Sequence, residues 1–255
     1  LLASRCCKKV VKEFQKIGGS LTLGEVKVEE NKLSKGNGIT INNKKIKADK
    51  YIIACGPWNK KILPNFFNKI SYVSRQEVYF FSIPNNNNDN YKIKNMPCWM
   101  DLNENSPTYY GMPFHLNKGF KVAYDERSTL FDPDKSDRIP LPKLIERTKK
   151  YIYKRFPGLK NLPITESKVC QYENSIDGNF IIEKHSLSND VLIMGGSSGH
   201  GFKMGPGIGE FVKDVILKNK KIPSFLSKSR LINNKNLSQY YNSQIKYESK
   251  KRFFN

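Results

Sequence analysis

The chain has 255 residues and carries 44 Lys+Arg against 23 Asp+Glu, a formal net charge of +21. That length supports one large domain or two modest ones with a real core, which excludes a disordered tail. The apolar runs, "YIIAC" and "VLIMGG" among them, fall far short of the roughly 18 to 20 residues that cross a bilayer.

The chain starts at Leu1 with "LLASRCCKKVVKEFQKIGG", which lacks the apolar block and small-residue cleavage site of a signal peptide. A cytoplasmic or peroxisomal protein with no membrane partner is expected, and both a fragment of a longer chain and a complete product stay open. Lysines recur in nearly every segment beside asparagine, as in "NGITINNKK", so the positive charge reads as a solvated surface and no nucleic-acid partner is expected. Five cysteines show no Cys-x-x-Cys pair, which points to a reduced setting without a zinc site.

In "SRCCKKVVKEFQKIGG" the positions Cys7, Val10, Val11, Phe14 and Ile17 follow helical spacing, and Gly18 and Gly19 stop the helix. "LTLGEVKVEENK" and "GITINNKKIKADKYIIACG" alternate as short strands joined by turns, and "YIIAC" suits a strand buried on both faces. "ISYVSRQEVYFFSIP", "CWMDL", "TYYGMPF" and "GFKVAY" predict a second, aromatic-rich sheet. "LPKLIERTKKYIYKRFPGL" predicts a helix with Pro142 near its start and Pro157-Gly158 at its end. Strands follow at "SKVCQYENS", "NFIIEKH" and "VLIMGG". A glycine loop then leads to a helix entered through Pro206, with Ile208, Phe211, Val212, Val215 and Ile216 as its apolar stripe.

The stretch "SSGHGFKMGPGIG" leaves a concave backbone before a helix N-terminus, a surface suited to an electron-rich ligand. As a hydrolase elbow, Gly195-x-Ser197-x-Gly199 fails for want of a downstream histidine, since His200 stands too close to Ser197 to act as a separate base. As a dinucleotide fingerprint, "GPGIG" has the wrong spacing. A plain tight turn stays open on spacing alone.

Taken whole, "KVCQYENSIDGNFIIEKHSLSNDVLIMGGSSGHGFKMGPGIGEFV" resembles the C-terminal region of the FAD-dependent amine oxidases of the sarcosine/pipecolate oxidase type, with the family's separation from Cys170 to Lys203 kept without a gap. "ADKYIIACGPWNKKIL", "RQEVYFF" and "YYGMPFHLNKGFKVAY" extend the resemblance over roughly residues 1 to 231. It implies an α/β two-domain protein: an FAD-binding three-layer βαβ domain (residues 1–69 and 171–230, its N-terminal part missing) and a mostly antiparallel substrate domain (70–170), followed by a polar tail (231–255). The family's G-x-G-x-x-G strand-turn-helix is not among these residues.

The resemblance assigns Cys170 to a covalent thioether with FAD and Lys203 to the substrate carboxylate. It places Lys121 near the flavin, where a fixed cation favours reaction with O2, and Tyr110 and Tyr172 on the substrate side. It sets Gly199, His200, Gly201 and Phe202 in the loop facing the flavin, and Gly56 and Trp58 near its adenosine half. It implies a monomer, with no metal, that oxidises a secondary amine of an N-alkyl or cyclic amino acid and reduces O2 to hydrogen peroxide. Where the sarcosine and pipecolate branch has a histidine, this chain has Asp125, which leaves a fructosyl-amino-acid branch open. A non-catalytic remnant is the third reading.

Overall fold

The computed structural model describes residues 2–35, 38–83, 89–103, 106–115, 118–125, 127 and 129–233. The chain divides into two compact units, 1–70 with 179–233 and 71–178.

The first unit opens with helix α1 (Ala3–Lys16), whose apolar stripe none of the described residues buries: Val10 is 67% and Ile17 84% exposed. Three short antiparallel strands follow, β1 (Val26–Val28), β2 (Ile39–Ile41) and β3 (Lys44–Lys45). The β2–β3 loop is Asn42-Asn43, both at positive φ (49° and 63°), the backbone that a two-residue hairpin needs and asparagine tolerates.

Strand β4 (Tyr51–Ile53) departs from expectation. It is an outer strand of a three-stranded sheet, and Ile52 is 50% exposed, so it is not buried on both faces. The apolar run reflects one buried neighbour, not two. After it come the short helices α2 (Asn59–Ile62) and α3 (Pro64–Phe67).

The second unit is built on β5 (Ser71–Phe81), β6 (Trp99–Asn103), β7 (Ser106–His115), β8 (Gly119–Tyr124) and β9 (Ile164–Ser175), in the order β6-β7-β8-β5-β9 with every pairing antiparallel. Successive side chains of a strand point to opposite faces. On one face Tyr79, Phe81, Tyr109, Phe120, Val122 and Tyr124 are buried with Ile152 of helix α4 (Pro142–Arg155). Tyr109 stacks on Tyr151 of that helix, with ring centroids 3.6 Å apart. Phe120→Ala is expected to lower unfolding free energy by about 3–5 kcal/mol, since an aromatic ring buried among rings leaves a cavity that cannot collapse. Denaturant titration would read this directly.

The same face carries a buried charge cluster. Glu77 accepts hydrogen bonds from Arg75 Nε at 2.6 Å, from the Tyr79 hydroxyl and from the Leu141 backbone N–H at 3.1 Å. Burial, with the carboxylate beside it, pushes the Tyr79 phenol far above its ordinary value, so it stays a donor. Removing one member of such a pair strands the other charge, so Glu77→Ala is expected to destabilise by about 3–5 kcal/mol. The melting temperature checks it.

The boundary between the units falls at Gly178/Asn179, beyond the expected 170/171, because β9 pairs with β5 without a break from Ser167 through Ser175. Back in the first unit, β10 (Ile181–His185) and β11 (Ser188–Gly195) form a hairpin, and β11 pairs in parallel with β4. Helix α5 (Gly201–Leu217) packs Val212 and Val215, flanked by Ile208, Phe211 and Ile216, onto Ile182 and Leu192, the stripe expected from its spacing.

Its start is not at Pro206, which lies inside the helix. Gly196, Ser198 and Gly199, all at positive φ, complete the turn early enough for Gly201 to begin the helix. Helix α6 (Ser229–Asn233) buries Leu231, so the expected tail begins with an ordered residue; 234–255 lie outside the described residues.

Candidate functional site

The pleat that buries the α4 face of the second unit presents a different set of residues on the opposite face. Tyr110 pairs with Ala123, Met112 with Lys121, Gln76 with Cys170 and Ser74 with Tyr172. Tyr110, Lys121, Cys170 and Tyr172, which lie up to 62 residues apart in sequence, therefore share one side of the sheet.

The contacts agree with the register. The Tyr110 and Tyr172 hydroxyls are 3.2 Å apart, and the Lys121 ammonium lies 5.3 Å from the centre of the Tyr110 ring. Burial, reinforced by the neighbouring phenol, pushes Tyr110 far above the usual tyrosine value, and Tyr172 is raised chiefly by burial. Both remain neutral hydroxyls throughout the physiological range.

Lys121 is half-buried, and that desolvation lowers its pKa from the usual lysine value, opposed by Cys170 and Cys98. The Cys170 thiol is raised by burial, against the opposite pull of Lys121, Lys168 and Arg138. The chain thus places a protected thiol among three cations, each of which stabilises its thiolate.

In the first unit, Gly199 (φ +86°) and Ser198 (φ +47°) bend the backbone out of β11. The buried Ser198 hydroxyl bonds the Gly196 carbonyl at 3.1 Å and so fixes the bend from inside. The His200 ring meets Phe180 edge to face at 4.8 Å. Gly201 can only be glycine at this approach, since a Cβ there would lie 2.7 Å from that of Ser197. Phe202 and Lys203, in the first turn of α5, are exposed.

Gly56 (φ +53°) and Trp58 form a short 3-10 turn after β4. Asn59, fully buried, ties that turn down: its side chain accepts from the Cys55 N–H at 3.0 Å and donates to the Met194 carbonyl at 2.8 Å. His185 is buried against Phe66 and accepts from the Leu187 N–H at 3.2 Å.

Sequence reasoning missed four polar residues near the tyrosines and the thiol: Gln76, Arg127, Arg138 and Asn174. Arg138 donates to the Val169 carbonyl at 3.2 Å and to the Gln171 side chain at 2.8 Å, one residue to either side of Cys170. Gln76 carried a usable signal, since Ser74-Arg75-Gln76-Glu77 is a run of polar residues within a strand whose remainder is largely apolar.

A thiol, a cation and two neutral phenols on one sheet face suit a flat, redox-active ring and a small substrate beside it. The glycine turn before α5, with its N–H groups and positive dipole end, suits an electron-rich group. The fold is shared with solved oxidoreductases: L-proline dehydrogenase from P. horikoshii matches with a TM-score of 0.68 at 22% identity, covering 86% of this chain and 56% of that one. Amadoriase I from Aspergillus fumigatus matches at a TM-score of 0.62 and 19% identity, over 78% of this chain and 48% of that one.

Residues 3–215 match the family described as DAO, FAD dependent oxidoreductase, and the chain belongs to that family. Monomeric sarcosine oxidase from Bacillus sp. (strain B-0618) is 30% identical over 227 residues, which cover 86% of this chain and 56% of that protein. The chain spans little more than half the length of the curated relatives it matches.

Proposed function

We propose that the protein oxidises the carbon beside a secondary amine nitrogen of an N-alkyl or cyclic amino acid, with FAD as electron acceptor and O2 reduced to hydrogen peroxide. The observation that carries this reading is the shared sheet face of Tyr110, Lys121, Cys170 and Tyr172. When bound, FAD supplies the acceptor for a hydride equivalent and passes the electrons on to O2.

Cys170 would hold the flavin by a thioether, with Lys121, Lys168 and Arg138 favouring the thiolate that forms it. Tyr110 and Tyr172 would wall the substrate's carbon chain and orient it through their hydroxyls. Lys121 would stabilise negative charge that develops during reaction with O2. Lys203 would bind the substrate carboxylate through its ammonium. Gly199, His200, Gly201 and Phe202 would line the flavin, and Gly56 and Trp58 its adenosine half.

The test is anaerobic mixing of the flavin-loaded protein, isolated from its native source, with sarcosine, pipecolate and a fructosyl amino acid. Bleaching of the flavin by sarcosine or pipecolate, with peroxide formed when air is admitted, is the expected result. Bleaching by the fructosyl compound alone moves the protein to that branch, which Asp125 keeps open. A flavin-free protein inert to all three is a remnant.

A further inference from the structure

Beyond the four residues of the proposed site, the same sheet face holds a clamped carboxylate. Past the end of β8 the Asp125 backbone N–H bonds the Thr108 carbonyl at 2.8 Å, extending the β7–β8 ladder by one more rung. Asp125 therefore keeps the side of the sheet taken by Lys121 and Ala123, next to the tyrosine pair.

Arg127, with a side chain only 7% exposed, holds it in place. Its Nε donates to Asp125 Oδ1 at 3.3 Å and its Nη2 to Oδ2 at 3.2 Å, while Nη1 donates to Asn174 Oδ1 at 3.2 Å. Asn174, fully buried, donates in turn to Ser74 Oγ at 2.9 Å and to the carbonyl of Tyr172 at 3.0 Å. The clamp thus runs from Asp125 to the strand that carries Tyr172.

Two consequences follow from this geometry. Three of the five guanidinium N–H donors are held by Asp125 and Asn174, so the plane of Arg127 is fixed against the carboxylate. A carboxylate offers about four acceptor sites and Arg127 takes two, so Asp125 keeps capacity for another donor. Its negative charge reaches the tyrosines, since it contributes to raising both Tyr110 and Tyr172. Lys121 lies four residues back along the chain, about 13 Å at strand spacing, so the face is positive at one end and negative at the other.

We propose that Asp125, positioned by Arg127 and Asn174, determines specificity by accepting the N–H of the substrate's ammonium group, and so selects cationic amines over neutral isosteres. This rests on the amine-oxidation reading. It assigns the amine to the second unit's sheet face through a carboxylate, a residue that binds an ammonium by charge as well as by hydrogen bond.

The test compares matched ligands by calorimetric titration of the flavin-loaded protein: sarcosine against methoxyacetate, and pipecolate against tetrahydropyran-2-carboxylate, in which an ether oxygen replaces the amine nitrogen. The wild-type protein is expected to favour the amine in at least one pair. Asp125→Asn is expected to weaken that amine about tenfold or more while changing its ether partner less than about twofold, and Asp125→Glu to restore part of the preference.

Equal losses for amine and ether in Asp125→Asn would mean that Asp125 serves only the fold, and the proposal falls. It falls equally if the wild-type protein prefers the amine in neither pair. Turnover is scored separately. An amine preference that depends on Asp125, in a protein whose flavin the amine never bleaches, upholds the assignment and removes the oxidase reading.

Discussion

Cys170→Ser is expected to abolish covalent flavin while leaving the fold intact. In the protein from its native source, the tryptic peptide from Val169 to Lys184 should carry the mass of FAD, and in the variant it should carry none. Cys170 is half-buried at the centre of β9, on the face that also holds Lys121 and the tyrosines. Serine is nearly isosteric there, and the β5 and β9 backbones pair whatever the side chain, so loss of the adduct would report chemistry and not unfolding. Cys98, exposed just ahead of β6, is the control, and Cys98→Ser should keep the adduct.

The pH dependence carries a sign. Burial raises the Cys170 thiol above its ordinary value, so the thiolate is the minor species at neutral pH, and attachment should quicken about tenfold per unit as pH rises toward that value. Arg138→Gln removes one of the cations that oppose the rise and should slow attachment at a given pH. An unmodified Cys170 peptide from flavin-containing native protein would refute the covalent assignment without touching the rest of the reading.

Lys121→Met is expected to slow reoxidation of the reduced protein by O2 about 100- to 1000-fold, the loss seen when a preorganised charge stabiliser is removed. Reduction by the amine should change far less. The ammonium sits 5.3 Å from the Tyr110 ring centre and is half-buried, which strengthens its field and also lowers its pKa. A lysine with a lowered pKa loses its charge at lower pH than usual, so in the wild-type protein the O2 step should decline on the alkaline side below the ordinary lysine value of 10.5. That limb should vanish in Lys121→Met and return, shifted upward, in Lys121→Arg. Stopped-flow reoxidation across pH measures both effects. An unchanged rate in Lys121→Met would remove Lys121 from the chemistry.

Much of the architecture could be read from alternation and helical spacing, because both are local. The strands around "VYFF" and "GFKVAY", helix α4 and the stripe of α5 follow from residues within a few positions of one another. The candidate residues were reachable only through the resemblance, since nothing local distinguishes Lys121 from the other lysines.

What stayed hidden depends on register between distant segments. The clamp on Asp125 exists because Ser74 pairs with Tyr172, which brings Asn174 within reach of a residue 100 positions earlier. The exposure of Ile52 depends on which side of β4 has a neighbour, and apolar content does not encode that. The early start of α5 depends on positive φ at Ser198, a non-glycine residue whose buried hydroxyl stabilises a bend that composition assigns to the glycines.

The five-stranded sheet writes two messages in one strand. Along β8, Phe120, Val122 and Tyr124 belong to the core, while Lys121 and Ala123 lie on the opposite face, continued by Asp125. A library at Phe120, Val122 and Tyr124 should therefore lose protein abundance, one at Lys121 should lose turnover with abundance kept, and one at Ala123, buried on its own face, should lose both. Deleting a single residue would exchange the two sets, turning a lysine into the aromatic core and a phenylalanine out of it. Such a strand can drift by substitution at either phase, but it has little room to change length.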